Sequence, residues 1–156
     1  MKKTVIGKEV YYTLAWSPIY PYDRFEAMRK MPELGGIISL LYQNQSRNEY
    51  LIFYSCHRDG CRVGFKKFMD PYATRHPEII KELDLTRLFY KFTVIDEGNM
   101  LDMQDILYWL IRTYNPRYNE STFKDSQRFA NIYINEVQRS EEDVVEKIHG
   151  HRHREG

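Results

Sequence analysis

The sequence predicts an α+β domain in which a small, mainly antiparallel sheet of three central strands is flanked by helices. Residues 36–43, 48–56 and 88–96 are rich in aliphatic, β-branched and aromatic side chains, which is typical of strands. Segments with helical spacing of apolar residues precede, separate and follow them. Because the three strands are nearly continuous apolar runs, we expect helices on both faces of the sheet.

The N-terminal part predicts one further strand and one helix. Residues 9–16, "EVYYTLAW", are aromatic and β-branched and predict an extra N-terminal strand. Phe25, Met28 and Met31 recur at helical spacing, and Asp23 is a suitable N-cap for that helix. The polar "NQSRN" between the first two central strands suits a hairpin turn.

Helices are predicted on both sides of the third central strand. Residues 61–69 predict a short helix, and "HPEIIKELDL" predicts another with Pro77 in its first turn. The longest helix begins at about Met100 and stops before Pro116. Phe129, Ile132, Tyr133, Glu136 and Val137 share one side of a helical projection, so residues 120–139 are predicted to form a C-terminal helix.

We therefore divide the chain into an N-terminal extension (1–31), a central domain (32–119), the C-terminal helix (120–139) and a charged tail (140–156) expected to be disordered. The 156 residues suit one domain. A net charge of +1 gives no bulk electrostatic argument for nucleic acid. The N-terminus lacks the apolar stretch of a signal peptide, and the two cysteines are too few for a disulfide framework. A cytoplasmic protein with no membrane span is expected.

Three segments of the central domain carry a family resemblance. They are "MPELGGI", the hairpin that follows it, and the helix end "LIRTY" that leads into "NPRYN". In this order and spacing, residues 32–119 resemble a GIY-YIG nuclease domain, as in the excision-repair endonuclease subunit and in homing endonucleases. The resemblance implies a tyrosine from each hairpin strand beside the nucleophilic water, an arginine that steadies the phosphate, a glutamate that holds a divalent metal, and a bracing asparagine.

The two tyrosine positions are not tyrosines in this chain. The first falls on Ile38, which has no hydroxyl, and the second falls on Phe53. Tyr54 is one residue from the second position. Successive strand residues point to opposite faces, so Tyr54 replaces Phe53 only if the register is shifted by one.

The arginine and asparagine positions are matched better. The arginine position falls on Val63, directly beside Arg62, and the asparagine position is matched by Asn119. Tyr54, Arg62 and Asn119 are therefore the only candidates for catalytic residues that the resemblance leaves.

The metal-binding glutamate position falls on Leu107. At about 100° per residue, Asp105 lies on the opposite side of the helix and Asp102 about 140° away, so neither replaces it. The residues on the same side as Leu107 are apolar or aromatic and predict a core face. Mg²⁺ needs oxygen ligands, and this helix face supplies none.

Three other clusters contain residue types that bind phosphate or metal ions. Arg58, Arg62 and Lys66 are spaced by four, with Lys67 adjacent, and would form a basic stripe on a helix. Such stripes contact phosphates, or they are solvated helix faces. "CHRDGC" lacks a second cysteine pair for zinc and is interpreted as two free thiols. "HGHRH" in the tail is interpreted as having at most adventitious metal affinity.

The sequence leads to three functional hypotheses. The first is a GIY-YIG-like domain without catalysis that acts as a protein-interaction or structural component of a larger assembly, with a protein as its partner. The second is a DNA- or RNA-binding module that uses the basic segment 58–67. The third is an active endonuclease with shifted residues, and only this one needs a cofactor, Mg²⁺. The sequence leaves the oligomeric state open.

Overall fold

The computed structural model describes residues 1–95, 100–119, 126 and 128–139. The strands are β1 (Lys2–Ile6), β2 (Glu9–Trp16), β3 (Tyr20–Pro21), β4 (Gly36–Asn44), β5 (Arg47–Cys56), β6 (Leu88–Val94) and β7 (Asn131–Gln138). The helices are α1 (Arg24–Lys30), α2 (Cys61–Met69), α3 (Pro77–Glu82) and α4 (Met100–Tyr114), and a 3-10 turn (Leu85–Arg87) precedes β6. The predicted α+β class is confirmed.

The three predicted central strands form the middle of the sheet. β4 pairs antiparallel with β5 on one side and with β6 on the other. The hairpin turn between β4 and β5 is short, and Gln45 adopts a positive φ of 59° there. These strands position the site, because the end of β5 leads directly into the turn before α2.

The predicted C-terminal helix is wrong. Residues 131–138 form β7, which pairs with β2 in parallel along its whole length. Burial alternates along β7, with Ile132, Ile134 and Glu136 less exposed than their neighbours. This period of two is that of a half-buried strand. Over so short a segment the apolar positions fit the spacing of a helix as well as that of a strand. Pairing with β2 selects the strand.

The N-terminal extension contains more strands than the one that was predicted. β2 is the expected strand, and β1 adds to it as an antiparallel hairpin. β2 then meets β6 through the pair Trp16 and Thr93, so the extension belongs to the same sheet as the central strands. The boundary at residues 31/32 remains a prediction. The charged tail lies outside the described residues.

Helix ends follow the expected local signals. The Asp23 carboxylate accepts hydrogen bonds from the backbone N–H groups of Phe25 and Glu26 and caps α1. Pro77 occupies the start of α3. Gly64, which weakens α2 by propensity, is required by packing, since a Cβ there would lie 2.5 Å from Cys56 Sγ. α2 can therefore approach the end of β5 closely.

Two apolar cores lie on the two faces of the central sheet. One contains Ile38, Leu40 and Tyr90 and is covered by α1, α2 and α3. The other contains Ile37, Phe53 and Leu107 and is formed between the central sheet, β2 and α4. Helical cover on both faces of the central strands is confirmed. Within the described part of the chain, no helix has the length and apolar character needed to cross a bilayer.

Candidate functional site

A cleft of about 520 Å³ opens where β5 runs into α2. One wall is the turn of residues 57–59, and the other is the loop of residues 73–75, which follows α2. Tyr54 and Phe68 contribute its aromatic lining, and their rings meet edge to face at 5.1 Å. The volume lies within the usual range of binding sites for small ligands or single groups of larger ones.

Among the described residues, three cations and one carboxylate line the cleft. Arg58, Lys67 and Arg75 line it together with Asp59. Asp59 pairs with Lys67 at 3.0 Å, whereas Arg58 and Arg75 have no carboxylate partner among the described residues. Unpaired arginines are the usual ligands of phosphate and carboxylate groups. Arg75 was not predicted, because only the fold brings its loop opposite the β5–α2 turn.

Tyr54 is the phenol that β5 contributes to the lining of this cleft. Burial raises its pKa above the ordinary value, while the positive charges of Arg75 and Lys67 act in the opposite direction. The phenol is therefore a neutral hydrogen-bond donor at physiological pH. It can donate to an anion held by the arginines.

The predicted basic stripe is not a single helix face. α2 begins at Cys61, after Gly60 with a positive φ of 84°, so Arg58 lies in the preceding turn. Arg62 donates to the Met31 carbonyl at 3.1 Å and to the Glu33 carboxylate at 2.8 Å. The Arg62 guanidinium thus joins α2 to the loop before β4.

Of the four predicted basic residues, Arg58 and Lys67 line the cleft, and Arg62 and Lys66 do not. Lys66 is exposed on α2. The nucleic-acid-binding role predicted for these residues remains a prediction. In the structure, Arg58 and Lys67 share the cleft and do not belong to one helical stripe.

The family-equivalent hairpin positions separate onto the two faces of the sheet. Ile38 pairs directly with Tyr54, so these side chains share the face covered by α2. Phe53 belongs to the core beside α4. Ile38 and Phe53 therefore cannot flank one water molecule, whereas Ile38 and Tyr54 are neighbours.

Leu107 lies in the apolar core and is 6% exposed. Its neighbours in that core include Phe53 and Ile106, and no oxygen ligand stands at this point of α4. Among the described residues no group of three or more histidine, cysteine, aspartate or glutamate side chains is arranged to hold a metal ion. The residues at the family-equivalent positions do not fit a divalent cation.

The two carboxylates of α4 belong to a buried network. Asp102 accepts a hydrogen bond from the Tyr12 hydroxyl at 2.7 Å and pairs with Lys3 at 2.8 Å and Arg128 at 3.0 Å. Asp105 pairs with Arg128 at 2.6 Å. Burial raises the pKa of Tyr12, as does its bond to Asp102. The network joins α4 to β1, to β2 and to the segment before β7. These partners are far apart in the sequence, so no local pattern predicts the network.

Asn119 lies beside the outer edge of β5. Its side-chain oxygen accepts from the Phe53 N–H at 2.8 Å, and its amide donates to the Phe53 carbonyl at 3.0 Å. The Tyr118 N–H donates to the Leu51 carbonyl at 2.9 Å. Asn119 therefore substitutes for a neighbouring strand and fixes this part of β5.

The two cysteines are free thiols and are buried. A hydrogen bond between the thiols raises the pKa of Cys56, and burial acts in the same direction. The Cys56 thiol is therefore protonated and apolar in character. The "HGHRH" segment lies outside the described residues.

These features define an α+β protein whose antiparallel central sheet carries a cationic cleft on one face and a closed core on the other. The chain belongs to a protein family whose model matches residues 1–155 and is described as "Uncharacterised protein". No curated protein matches the chain.

Solved structures similar to this chain include the GIY-YIG N-terminal endonuclease domain of UvrC from Thermotoga maritima, as two tyrosine-to-phenylalanine point mutants bound to the catalytic divalent cation. The identities are 21% and 20%, each with a TM-score of 0.39. Each match covers 61% of this chain and 97% of the other. These solved structures belong to the family that the sequence resembles. This similarity concerns the fold, and the functional proposal rests on the chain's own side chains.

Proposed function

We propose that this protein binds the phosphate backbone of nucleic acid in the cleft between the β5–α2 turn and the loop of residues 73–75, without metal-dependent cleavage. The observation that carries the proposal is the pair of arginines, Arg58 and Arg75, that face one cleft without carboxylate partners among the described residues. Lys67 and the neutral Tyr54 hydroxyl add two further donors.

Phosphate is favoured over a carboxylate ligand by the number and spread of the donors. Two guanidinium groups and an ammonium group can each contact a different oxygen or a different phosphate. The described residues that line the cleft carry a net positive charge even though the whole chain is nearly neutral, so binding would be local to this surface.

The absence of cleavage is proposed from the positions of Leu107 and Phe53. Metal-dependent phosphoryl transfer needs a cation held where charge develops. A leucine in a packed core cannot hold one, and the nearest acids of α4 are engaged by Arg128 and Lys3. The active-endonuclease hypothesis has no support from these residues.

The experiment is a titration of fluorescently labelled single-stranded and double-stranded DNA and RNA at about 50 mM and about 200 mM salt. Each phosphate contact contributes about 0.7 to the slope of log affinity against log salt for single strands. The double variant Arg58→Ala with Arg75→Ala is expected to lower this slope by about 1.4 and to weaken binding.

A matched control is Arg24→Ala with Arg29→Ala, which removes the same charge from exposed positions on α1 that do not line the cleft. The control is expected to bind as the unmodified protein does. Equal loss in both double variants would mean that overall charge, not the cleft, produces binding. Absence of binding at low salt would overturn the proposal.

A protein-interaction role, the first of the sequence-based hypotheses, is the second candidate. It is favoured by the outward face of β2 and β7, where Tyr11 and Tyr133 stack at 4.9 Å and are 39% and 45% exposed. Val137 is exposed on the same face. Exposed aromatic and apolar side chains are common at protein interfaces.

The variant Tyr11→Ser with Tyr133→Ser separates the two candidates. On the nucleic-acid proposal it leaves oligonucleotide affinity unchanged, because neither tyrosine lines the cleft. If the assembly role is correct, the same variant loses co-purifying protein that the Arg58→Ala and Arg75→Ala variant retains.

A further inference from the structure

A second cavity, of about 910 Å³, lies at the turn end of the β4–β5 hairpin. It is lined by the hairpin turn and by the end of α4. Arg47, Arg117 and, as the carboxylate among the described lining residues, Glu49 contribute to it. Neither arginine has a carboxylate partner among the described residues.

Two tyrosine rings line the same hairpin cavity as the arginines. Tyr50 comes from β5 and Tyr114 from the last turn of α4, and their centroids are 4.6 Å apart. Tyr114 donates to the Glu136 carboxylate, and the Tyr50 hydroxyl accepts from Lys91 at 3.1 Å. Both hydroxyl groups therefore have hydrogen-bond partners, and these bonds restrain the two rings. Fixed aromatic rings are the usual stacking partners of nucleobases.

Lys91 adds a buried positive charge behind the rings. Its side chain is 9% exposed, and its ammonium lies 4.5 Å from the Trp16 ring centroid and 5.2 Å from that of Tyr50. Among the described residues it has no carboxylate partner.

We infer that the hairpin cavity binds one nucleotide unit, with the base against Tyr50 and Tyr114 and the phosphate at Arg47 and Arg117. The choice of ligand rests on the proposed function. A bare anion would use the arginines but not the rings, and an uncharged aromatic compound would use the rings but not the arginines. A nucleotide carries both groups.

The two cavities lie at opposite ends of β5, the cleft on the α2 face and the hairpin cavity beside Tyr50 and Tyr114, which pack on the α4 face. Arg47 is the first residue of this ten-residue strand, and its last three residues line the cleft. A strand of that length extends about 30 Å. A single-stranded nucleic acid long enough to reach both ends is therefore expected to bind more tightly than a shorter one, because the second contact becomes intramolecular.

The test uses adenosine 5′-monophosphate, adenosine and inorganic phosphate as separate probes in calorimetric titrations of the full chain. The mononucleotide is expected to bind at least about tenfold more tightly than either adenosine or phosphate. The variant Arg47→Ala with Arg117→Ala is expected to weaken mononucleotide binding by about tenfold or more. The Arg24→Ala and Arg29→Ala control is expected to leave it unchanged.

Three results would overturn this inference. They are equal affinity for phosphate and mononucleotide, equal affinity for adenosine and mononucleotide, and mononucleotide binding unaffected by loss of Arg47 and Arg117. Because the replaced arginines are exposed, the variants are expected to fold, and circular dichroism checks this directly.

Failure of this inference and failure of the proposed function give different results. If oligonucleotides bind through Arg58 and Arg75 but show no length dependence and no response to Arg47→Ala with Arg117→Ala, the hairpin cavity is not a nucleotide site and the proposed function stands. If the mononucleotide binds through Arg47 and Arg117 while oligonucleotides do not bind, the nucleotide site stands and the proposed function fails.

Discussion

The two faces of the central sheet differ in how accessible their side chains are to a ligand. On the α4 face, Phe53 and Leu107 are packed into a core, and the buried acids of α4 are paired with the partly exposed Lys3 and Arg128. On the α2 face, Tyr54 lines an open cleft with Arg58 and Arg75. The positions that resemble nuclease residues are thus divided between a closed region and an open one. The proposed phosphate binding uses only the open face, whereas Leu107, at the family-equivalent metal position, lies in the closed one.

The largest expected effect comes from placing a carboxylate in the closed face. Leu107→Glu is expected to lower the free energy of unfolding by about 3–5 kcal/mol, because it buries an unpaired charge in an apolar core. Leu107→Met, which conserves volume, should cost less than about 1.5 kcal/mol. Urea unfolding measures both. A Leu107→Glu protein as stable as Leu107→Met, and further stabilised by Mg²⁺, would show that the closed face can hold a metal.

The next effect concerns the buried network. Arg128→Met is expected to destabilise the protein by about 2–3 kcal/mol, because it removes the shared cation from Asp102 and Asp105 while Lys3 still partners Asp102. Arg139→Met, a control without a described ion pair, should change stability by less than about 0.5 kcal/mol. Equal stability of the two variants in urea would mean that the network does not hold α4 against the N-terminal strands.

A smaller effect on stability is expected from the hydrogen bonds at the edge of β5. Asn119→Ala removes both side-chain hydrogen bonds to Phe53 and should cost about 1–2 kcal/mol. Asn131→Ala on exposed β7 is the matched control and should cost less than about 0.5 kcal/mol. Amide hydrogen exchange at Phe53 should accelerate in Asn119→Ala alone. Unchanged exchange would mean that the edge is held by other contacts.

The smallest effect is a pH dependence from Tyr114. Burial and the bond to Glu136 raise the pKa of Tyr114 above its ordinary value of 10.0. The folded state therefore holds this proton more tightly than the unfolded chain does, so the stabilisation is complete below about pH 10 and is lost as pH rises above it. After allowance for solvent screening, the loss at about pH 11 is expected to be about 0.5 kcal/mol. Tyr114→Phe should show a smaller decline between those pH values in urea unfolding, and an identical decline would contradict this origin.

The central strands and the first helices could be predicted because their signals are local. Asp23 caps α1, Pro77 starts α3, and the apolar runs of β4, β5 and β6 have no helical alternative. β7 could not be predicted, because its partner, β2, is more than 100 residues away in the sequence. Side-chain alternation in residues 131–138 was the one available signal, and the coincident helical spacing obscured it.

The candidate site was predictable only in part. Arg58 and Lys67 could be predicted from the cluster of basic residues between positions 58 and 67. Arg75 sits in a loop with no motif, and the fold alone brings it to the cleft. The position of Leu107 in a core could be predicted from the helical period of α4. The network that engages Asp102 could not, because its partners come from both ends of the described chain.

The most direct measurement of the central claim follows binding and cleavage in one sample. End-labelled single-stranded and duplex DNA and RNA would be incubated with saturating protein and Mg²⁺ or Mn²⁺, and each sample would be divided between a native gel and a denaturing gel. We expect a shifted band that Arg58→Ala with Arg75→Ala removes, and full-length nucleic acid on the denaturing gel. Metal-dependent fragments that disappear with the same double variant would contradict the account, because cleavage would then occur in the cleft without the missing carboxylate.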